Sequence, residues 1–195
     1  MNDPSRTSAV SNSGAAKMDQ EMADFFQAVF DLVRTGDTPQ LLTLLNKGLP
    51  PNICNHKGDS LLMLASYHGH LLVARQLLEH GADPELRNDQ GQTPLLGAVF
   101  KGNRVMMELL LDHGAEIESA GPAGKTTLMM AAMFNRTELV GLLLERGAYL
   151  HARDANGLSV VDAARLMGAN ETVAQLEPLL QGHLAHPFSG ISPIV

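Results

Sequence analysis

HKGDSLLMLASYHGHLLVARQLLEHGADPELRN, residues 56–88, recurs without a gap as DQGQTPLLGAVFKGNRVMMELLLDHGAEIESAG at 89–121 and PAGKTTLMMAAMFNRTELVGLLLERGAYLHARD at 122–154. Gly58, Gly91, Gly124 and Gly157 stand 33 residues apart, and Gly48, Gly81, Gly114 and Gly147 repeat at the same spacing. So strict a period defines a short unit that cannot bury its apolar face alone, so its neighbours must stack on it. A shorter unit, ANGLSVVDAARLMGANETVAQLEPLLQ, follows at 155–181, and EMADFFQAVFDLVRTGDTPQLLTLLNKGLPPNICN precedes at 21–55 with Gly36 and Gly48 in phase.

Each unit carries its own punctuation. Ser60, Thr93, Thr126 and Ser159 stand where a helix would begin, because a hydroxyl oxygen can accept from the free first-turn N–H groups. Gly69, Gly102 and Gly168 then mark a tight turn. A second helix follows with Val73, Leu77 and Leu78, or Leu139, Leu143 and Leu144, at helical spacing. Gly81, Gly114 and Gly147 end it, since only glycine enters the left-handed region without a Cβ penalty. Ala65, Ala98, Ala131 and Ala164 recur in the middle of each first helix, where a small side chain permits close helix approach.

Helix, turn, helix, Gly-Ala and a loop at this period resemble the ankyrin repeat over residues 21–181, with TPLL at 93–96 and the GADPELRN and GAEIESAG endings carrying most of the likeness. The resemblance implies an all-α repeat solenoid of five stacked helix-turn-helix units joined by β-hairpin loops. Its expected parts are a disordered N-terminal tail at 1–18, a repeat domain at 19–181 (units 21–55, 56–88, 89–121, 122–154 and 155–181) and a C-terminal tail at 182–195. The histidine that usually closes the family's Thr-Pro-Leu-His tetrapeptide is replaced by Met63, Leu96, Met129 and Asp162, which implies apolar packing in place of a polar crosslink. Asn135 and Arg136 replace the usual turn Gly-His. End units must carry polar caps. Asp19 before Phe25, Phe26, Val29 and Phe30 fits a capping helix, and Asn170, Glu171, Gln175 and Glu177 fit a last helix that Pro178 ends or kinks.

Composition narrows the partners. The net charge of −7 opposes a phosphate backbone in the absence of a dense Lys/Arg run, so nucleic acid is not expected. Cys54 is the sole cysteine, which excludes an intramolecular disulfide and a cysteine-rich zinc site and suits a reducing cytoplasm. No stretch reaches the ~18 apolar residues of a membrane helix, so no membrane partner is expected and a cytoplasmic monomer is.

Catalytic-looking fragments dissolve in the repeat register. AGPAGKTT at 120–127 matches the end of a phosphate-binding loop at Gly124, Lys125 and Thr126, but Ser119 stands where its first glycine belongs. His68 with His70 and His183 with His186 lack the company that zinc requires, and His80 and His113 sit in last helical turns, favourable for a partly cationic ring. Neither a cofactor nor a metal is expected, and no nucleophile–base set can be nominated.

The register instead lines up a surface. The two residues before each turn are Tyr67-His68, Phe100-Lys101, Met133-Phe134 and Leu166-Met167, and in ankyrin-like folds they face the concave groove. They either pack under the loops as core or form an apolar stripe that buries part of a partner, with Tyr67 and Phe100 as anchors. Loop tips supply a polar rim, with His56, Lys57, Asp89, Gln90, Ala123 and Asn156 its chief members. The apolar tail GHLAHPFSGISPIV, residues 182–195, is read as a frayed terminus. The function expected is a non-enzymatic adaptor or regulator that binds a protein partner. One alternative is a small-molecule or metal-dependent activity using His68, His70 and Lys101. Another, implied by resemblance to some small bacterial ankyrin proteins, is a protective or assembly partner of an oxidative-stress enzyme.

Overall fold

The computed structural model describes residues 6–184. Ten α-helices follow in pairs: α1 Arg6–Thr35 and α2 Thr38–Asn46, α3 Leu61–His68 and α4 Leu71–Glu79, α5 Pro94–Lys101 and α6 Arg104–Asp112, α7 Thr127–Met133 and α8 Thr137–Glu145, then α9 Val160–Leu166 and α10 Asn170–Leu184. The expected helix starts are where the hydroxyls stand. Ser60 Oγ accepts from the Met63 N–H at 3.1 Å, Thr93 Oγ1 from Leu96 at 3.4 Å, Thr126 Oγ1 from Met129 at 3.3 Å, and Ser159 Oγ from Asp162 at 3.2 Å.

First helices pack in a row, α1 on α3, α3 on α5, α5 on α7 and α7 on α9, with the second helices laid along one side. Ala65, Ala98, Ala131 and Ala164 are fully buried along this seam. Met63, Leu96 and Met129, at the position of the absent histidine, are buried too, so apolar packing has taken over its place. One buried polar bond crosses the seam, from the Ser66 hydroxyl to the Pro94 carbonyl at 2.7 Å. Between units 2 and 1, His70 Nε2 donates to the Arg34 carbonyl at 2.8 Å.

One end departs from expectation. The stretch 1–18, expected to be a tail, is helical from Arg6 onward, because no proline lies between Pro4 and Pro39 and the helix anchored by buried Val29, Phe30 and Val33 can propagate at one backbone bond per residue. At the other end α10 runs through Pro178 to Leu184, so of the two outcomes expected at that proline, an end or a kink, the end does not occur. His186 and the tail beyond Leu184 lie outside the described residues.

The loops are reduced hairpins. Cys54 with Ser60, Ala120 with Thr126 and Arg153 with Ser159 form isolated antiparallel bridges, and no longer strand occurs among the described residues. Three tips share one device, a side-chain oxygen that accepts two backbone N–H groups: Asn55 Oδ1 from Lys57 and Asp59, Asn88 Oδ1 from Gln90 and Gln92, Asp154 Oδ1 from Asn156 and Leu158. Adjacent tips are also laced, Asp89 N–H to the Lys57 carbonyl at 3.1 Å and Ala155 N–H to the Ala123 carbonyl at 2.9 Å. The tip between units 3 and 4 breaks both patterns. Gly121 has no side chain to accept, Pro122 has no N–H to offer the tip before it, and the loop closes as a short 3-10 turn with Ala123 at φ 58°.

Gly58 has φ +73°, and a Cβ there would lie 2.8 Å from the Asp89 backbone nitrogen, whereas Gly91 has φ +72° with nothing within 4 Å. Gly91→Ala is expected to cost only the left-handed strain of roughly 1–2 kcal/mol, and Gly58→Ala measurably more, because the tip lacing must also move. Denaturant unfolding of the two variants side by side checks this, and equal losses would contradict it.

Acid sensitivity has a located source. Burial of Asp154 opposes its ionisation, but the N–H groups of Leu158 and Asn156 and the Lys125 ammonium outweigh it, so the carboxyl titrates below its ordinary 3.8. Its Oδ2 makes no hydrogen bond and faces Lys125 Nζ at 3.5 Å. An acid depressed in the folded state adds stability that is present above its ordinary value and is lost as pH falls toward the folded one. Asp154→Asn keeps the tip bonds, as Asn55 and Asn88 do natively. It is expected to fold at neutral pH and to show a flatter loss of thermal stability between about pH 5 and pH 2.

Candidate functional site

A groove of 780 Å³ runs along units 2–4 between the loop tips and the ends of the first helices. Its floor is Met63, Leu64, Leu96, Gly97 and Met130, one wall is Tyr67, His68 and Phe100, and the opposite rim is His56, Lys57, Asp89, Gln90 and Pro122. Tyr67 and Phe100 each keep 42% of their surface exposed, so the ladder at this point is surface and not core.

The wall is ordered by ring contacts. Tyr67 and Phe100 lie nearly parallel, 12° apart with centroids at 6.2 Å, and Phe134 meets Phe100 edge-on at 5.0 Å. Such pairs contribute about 0.5–1.5 kcal/mol beyond their buried area, which holds the rings in place before anything binds. Lys101 Nζ sits 4.0 Å from the Tyr67 ring centroid, a cation–π contact. His68 meets Tyr67 edge-on at 5.6 Å and stacks on His70 at 6.1 Å.

The expected four-unit stripe is divided. Tyr67, His68 and Phe100 line the groove with four of the six rim residues, Lys101 joins through Tyr67, and Phe134 joins through Phe100. Met133 is half-buried. Leu166 and Met167 are exposed but lie outside the groove, Leu166 beside Leu158, Asp162 and Arg165 in a separate shallow depression. The rim positions Ala123 and Asn156 are exposed and do not line it either. The helix ends differ as well. α3 and α5 extend through His68 and Lys101 to a glycine cap, whereas α7 and α9 end one residue earlier, at Met133 and Leu166, leaving Phe134 and Met167 as their caps. Asn135 takes the turn's left-handed geometry at φ 55°, and its Oδ1 accepts from the Thr172 N–H of α10 at 3.0 Å. Sequence reasoning missed Arg34, Asp59 and the floor, since floor residues carry the apolar pattern of ordinary core.

Other candidates have structural occupations. Thr126 caps α7, Gly124 has the φ of +70° its turn needs, and Lys125 pairs with Asp154, so the phosphate-loop look of 120–127 is repeat anatomy. Ser119, at the missing glycine, is buried, donates to Glu85 at 2.8 Å and accepts from Arg87 at 3.0 Å. Nδ1 of His80 and of His113 bonds the carbonyl one turn back, at 2.7 and 2.8 Å. Among the described residues, no three His, Cys, Asp or Glu side chains converge as a metal site would need.

Comparison with known proteins agrees with this architecture. A family profile described as ankyrin repeats in three copies matches residues 26–121 and 73–154. The chain belongs to the ankyrin repeat family. It is also similar to an ankyrin repeat protein of Pseudomonas aeruginosa, 54% identical over 61 residues that make up 31% of this chain and 36% of that protein. The match thus spans about a third of its relative. Ankyrin repeats are generally protein–protein interaction modules, and no described helix of this one is long and apolar enough to cross a membrane.

The wall's electrostatics yield a titration. Partial desolvation lowers the His68 pKa below 6.5, and His70, Lys101 and Arg34 push it the same way. A base whose pKa is lower when folded binds its proton more readily unfolded, so His68 takes stability away as pH falls from 6.5 toward the folded value. Proton NMR titration is expected to place His68 below its ordinary midpoint and Lys101→Met to move that midpoint upward. An unmoved midpoint would mean that the ammonium does not sit beside this imidazole.

Proposed function

We propose that this protein is a non-enzymatic adaptor or regulator that captures a protein partner in the groove of units 2–4, with the repeat domain at 19–181 acting as a monomer in the cytoplasm. The observation that carries the reading is the half-exposed Tyr67–Phe100 stack on the wall of an open groove. Aromatic side chains at 42% exposure, held in register by neighbouring rings, supply large contact area at little entropic cost on binding. The polar rim around an apolar floor is the layout of a protein interface.

Three further features support parts of this reading. The net charge of −7 disfavours nucleic acid. The exposed, unpaired Cys54 suits a reducing compartment. For the alternative use of His68, His70 and Lys101 in small-molecule or metal chemistry, His70 is already committed to the Arg34 carbonyl, so no specific observation favours it. The role as partner of an oxidative-stress enzyme likewise finds no residue that argues for it.

Affinity purification from the native cell, wild type beside Phe100→Asp, tests the proposal. The wild type is expected to retain a defined partner and the variant to lose it, while the thermal midpoint falls by no more than about 2–4 °C, the equivalent of ~1 kcal/mol in a chain of this size. Equal capture by the two proteins would sink the groove as the binding site.

A further inference from the structure

One gap in the groove floor is not required by the repeat. The equivalent positions Leu64, Gly97, Met130 and Ala163 lie inside first helices, and only unit 3 has glycine there. Glycine weakens a helix interior because it loses the most backbone freedom on folding. No crowding explains it, for a Cβ at Gly97 would meet only Ser66 Oγ at 3.8 Å and Tyr67 N at 4.0 Å, ordinary contact distances. Its φ is not positive either. What glycine does there is leave a notch in the floor between Leu64 and Met130, beneath Tyr67 and Phe100.

Beside the notch stands a cation without a carboxylate. Lys101 sits over Tyr67, whose backbone borders Gly97, and no carboxylate among the described residues pairs with it or with Lys57. Away from the groove Arg104 is paired with Glu108 and Glu138, and Arg146 with Asp112. Of the groove's own acids, Asp59 is occupied by the side-chain amides of Asn55 and Asn88, and Asp89 stands on the far rim. A basic segment laid along the wall would face Lys101, whereas an acidic one would find an ammonium lacking a counter-charge; Arg34, also on the groove, is already paired with Asp31 at 2.7 Å. The body's net charge of −7 repels acidic partners at a distance, but screening over about 8 Å at physiological salt leaves the local ammonium dominant on contact.

We infer that the partner's docking segment is acidic, with a large aliphatic or aromatic side chain seated in the Gly97 notch and a neighbouring carboxylate on the Lys101 ammonium. This rests on the reading of the groove as a protein-binding site and names the chemistry of what enters it. The apolar side chain supplies the area, and the carboxylate fixes which way the segment runs.

A random peptide library displayed on phage, selected on the full-length protein, tests it. Expected are enriched sequences of net negative charge containing a large apolar residue. A synthetic peptide from that pool should lose about tenfold in affinity on Lys101→Glu and again on Gly97→Leu, and weaken as salt rises to about 0.5 M. Gly97→Leu should itself unfold no earlier than the wild type, because it replaces a helix-interior glycine where a Cβ meets its neighbours only at ordinary contact distances. Should it unfold early, Lys101→Glu at an exposed position decides alone. Enrichment of neutral or basic peptides that Phe100→Asp abolishes and Lys101→Glu leaves intact would overturn the acidic segment while sparing the groove. Failure to enrich any peptide whose binding depends on Phe100 would overturn both.

Discussion

Close approach of the first helices is the constraint on which the rest of this molecule depends. Each of the three middle units offers two short helices of seven to nine residues, lengths that are marginal in water without tertiary packing. They persist because fully buried Ala65, Ala98, Ala131 and Ala164 let neighbouring helix pairs meet over their whole length. A larger side chain at any of these positions would push two units apart and expose the leucines on both sides. Stability in such an array is a sum of neighbour interfaces, so damage at one seam is felt as the loss of one interface and not as a diffuse weakening.

The same seam sets where the surface is. Once first helices are held in contact, their C-terminal residues emerge side by side on one edge, and the loop tips emerge on the other side of the same trough. Tyr67 and Phe100 therefore stack because their helices are in register, with no separate requirement that they attract. The groove is lined from Arg34 to Met130 and reaches no residue of unit 5.

Periodicity made the interior readable before any coordinates, because glycine turns, hydroxyl caps and alanine seams each answer to a local rule that operates in every unit alike. Those rules located the caps of α3, α5, α7 and α9 and ranked the phosphate-loop resemblance at 120–127 as a repeat turn. They do not settle the two ends, where a helix runs on from a packed segment and no repeat neighbour dictates its limit: α1 continues back to Arg6, and α10 continues past Pro178. For the site, the wall residues Tyr67, His68 and Phe100 and the rim residues from His56 to Gln90 were legible from register. Leu166 and Met167 lie outside the groove, because register gives position along the stack but not how far along it a groove extends. The floor was invisible for a different reason, since Leu64 and Met130 look like core until the missing side chain at Gly97 opens a space above them.

Irregularity, then, is the informative part of a regular molecule. At the tip between units 3 and 4 Gly121 abandons the side-chain acceptor that holds the other tips, Pro122 breaks the lacing to the preceding tip, and Ala123 accepts a left-handed backbone at a cost of roughly 1–2 kcal/mol. In unit 3 Gly97 weakens the helix it occupies. Gly97, Gly121 and Pro122 all border the groove, on its floor and at its far rim, and none is needed by the solenoid, whose other units do without them. Losses of this kind persist where the surrounding structure can carry them and where something other than stability is served. Their convergence on one trough, beside an ammonium that the protein leaves without a carboxylate, is what separates this groove from the generic concave face that any stack of such units would possess.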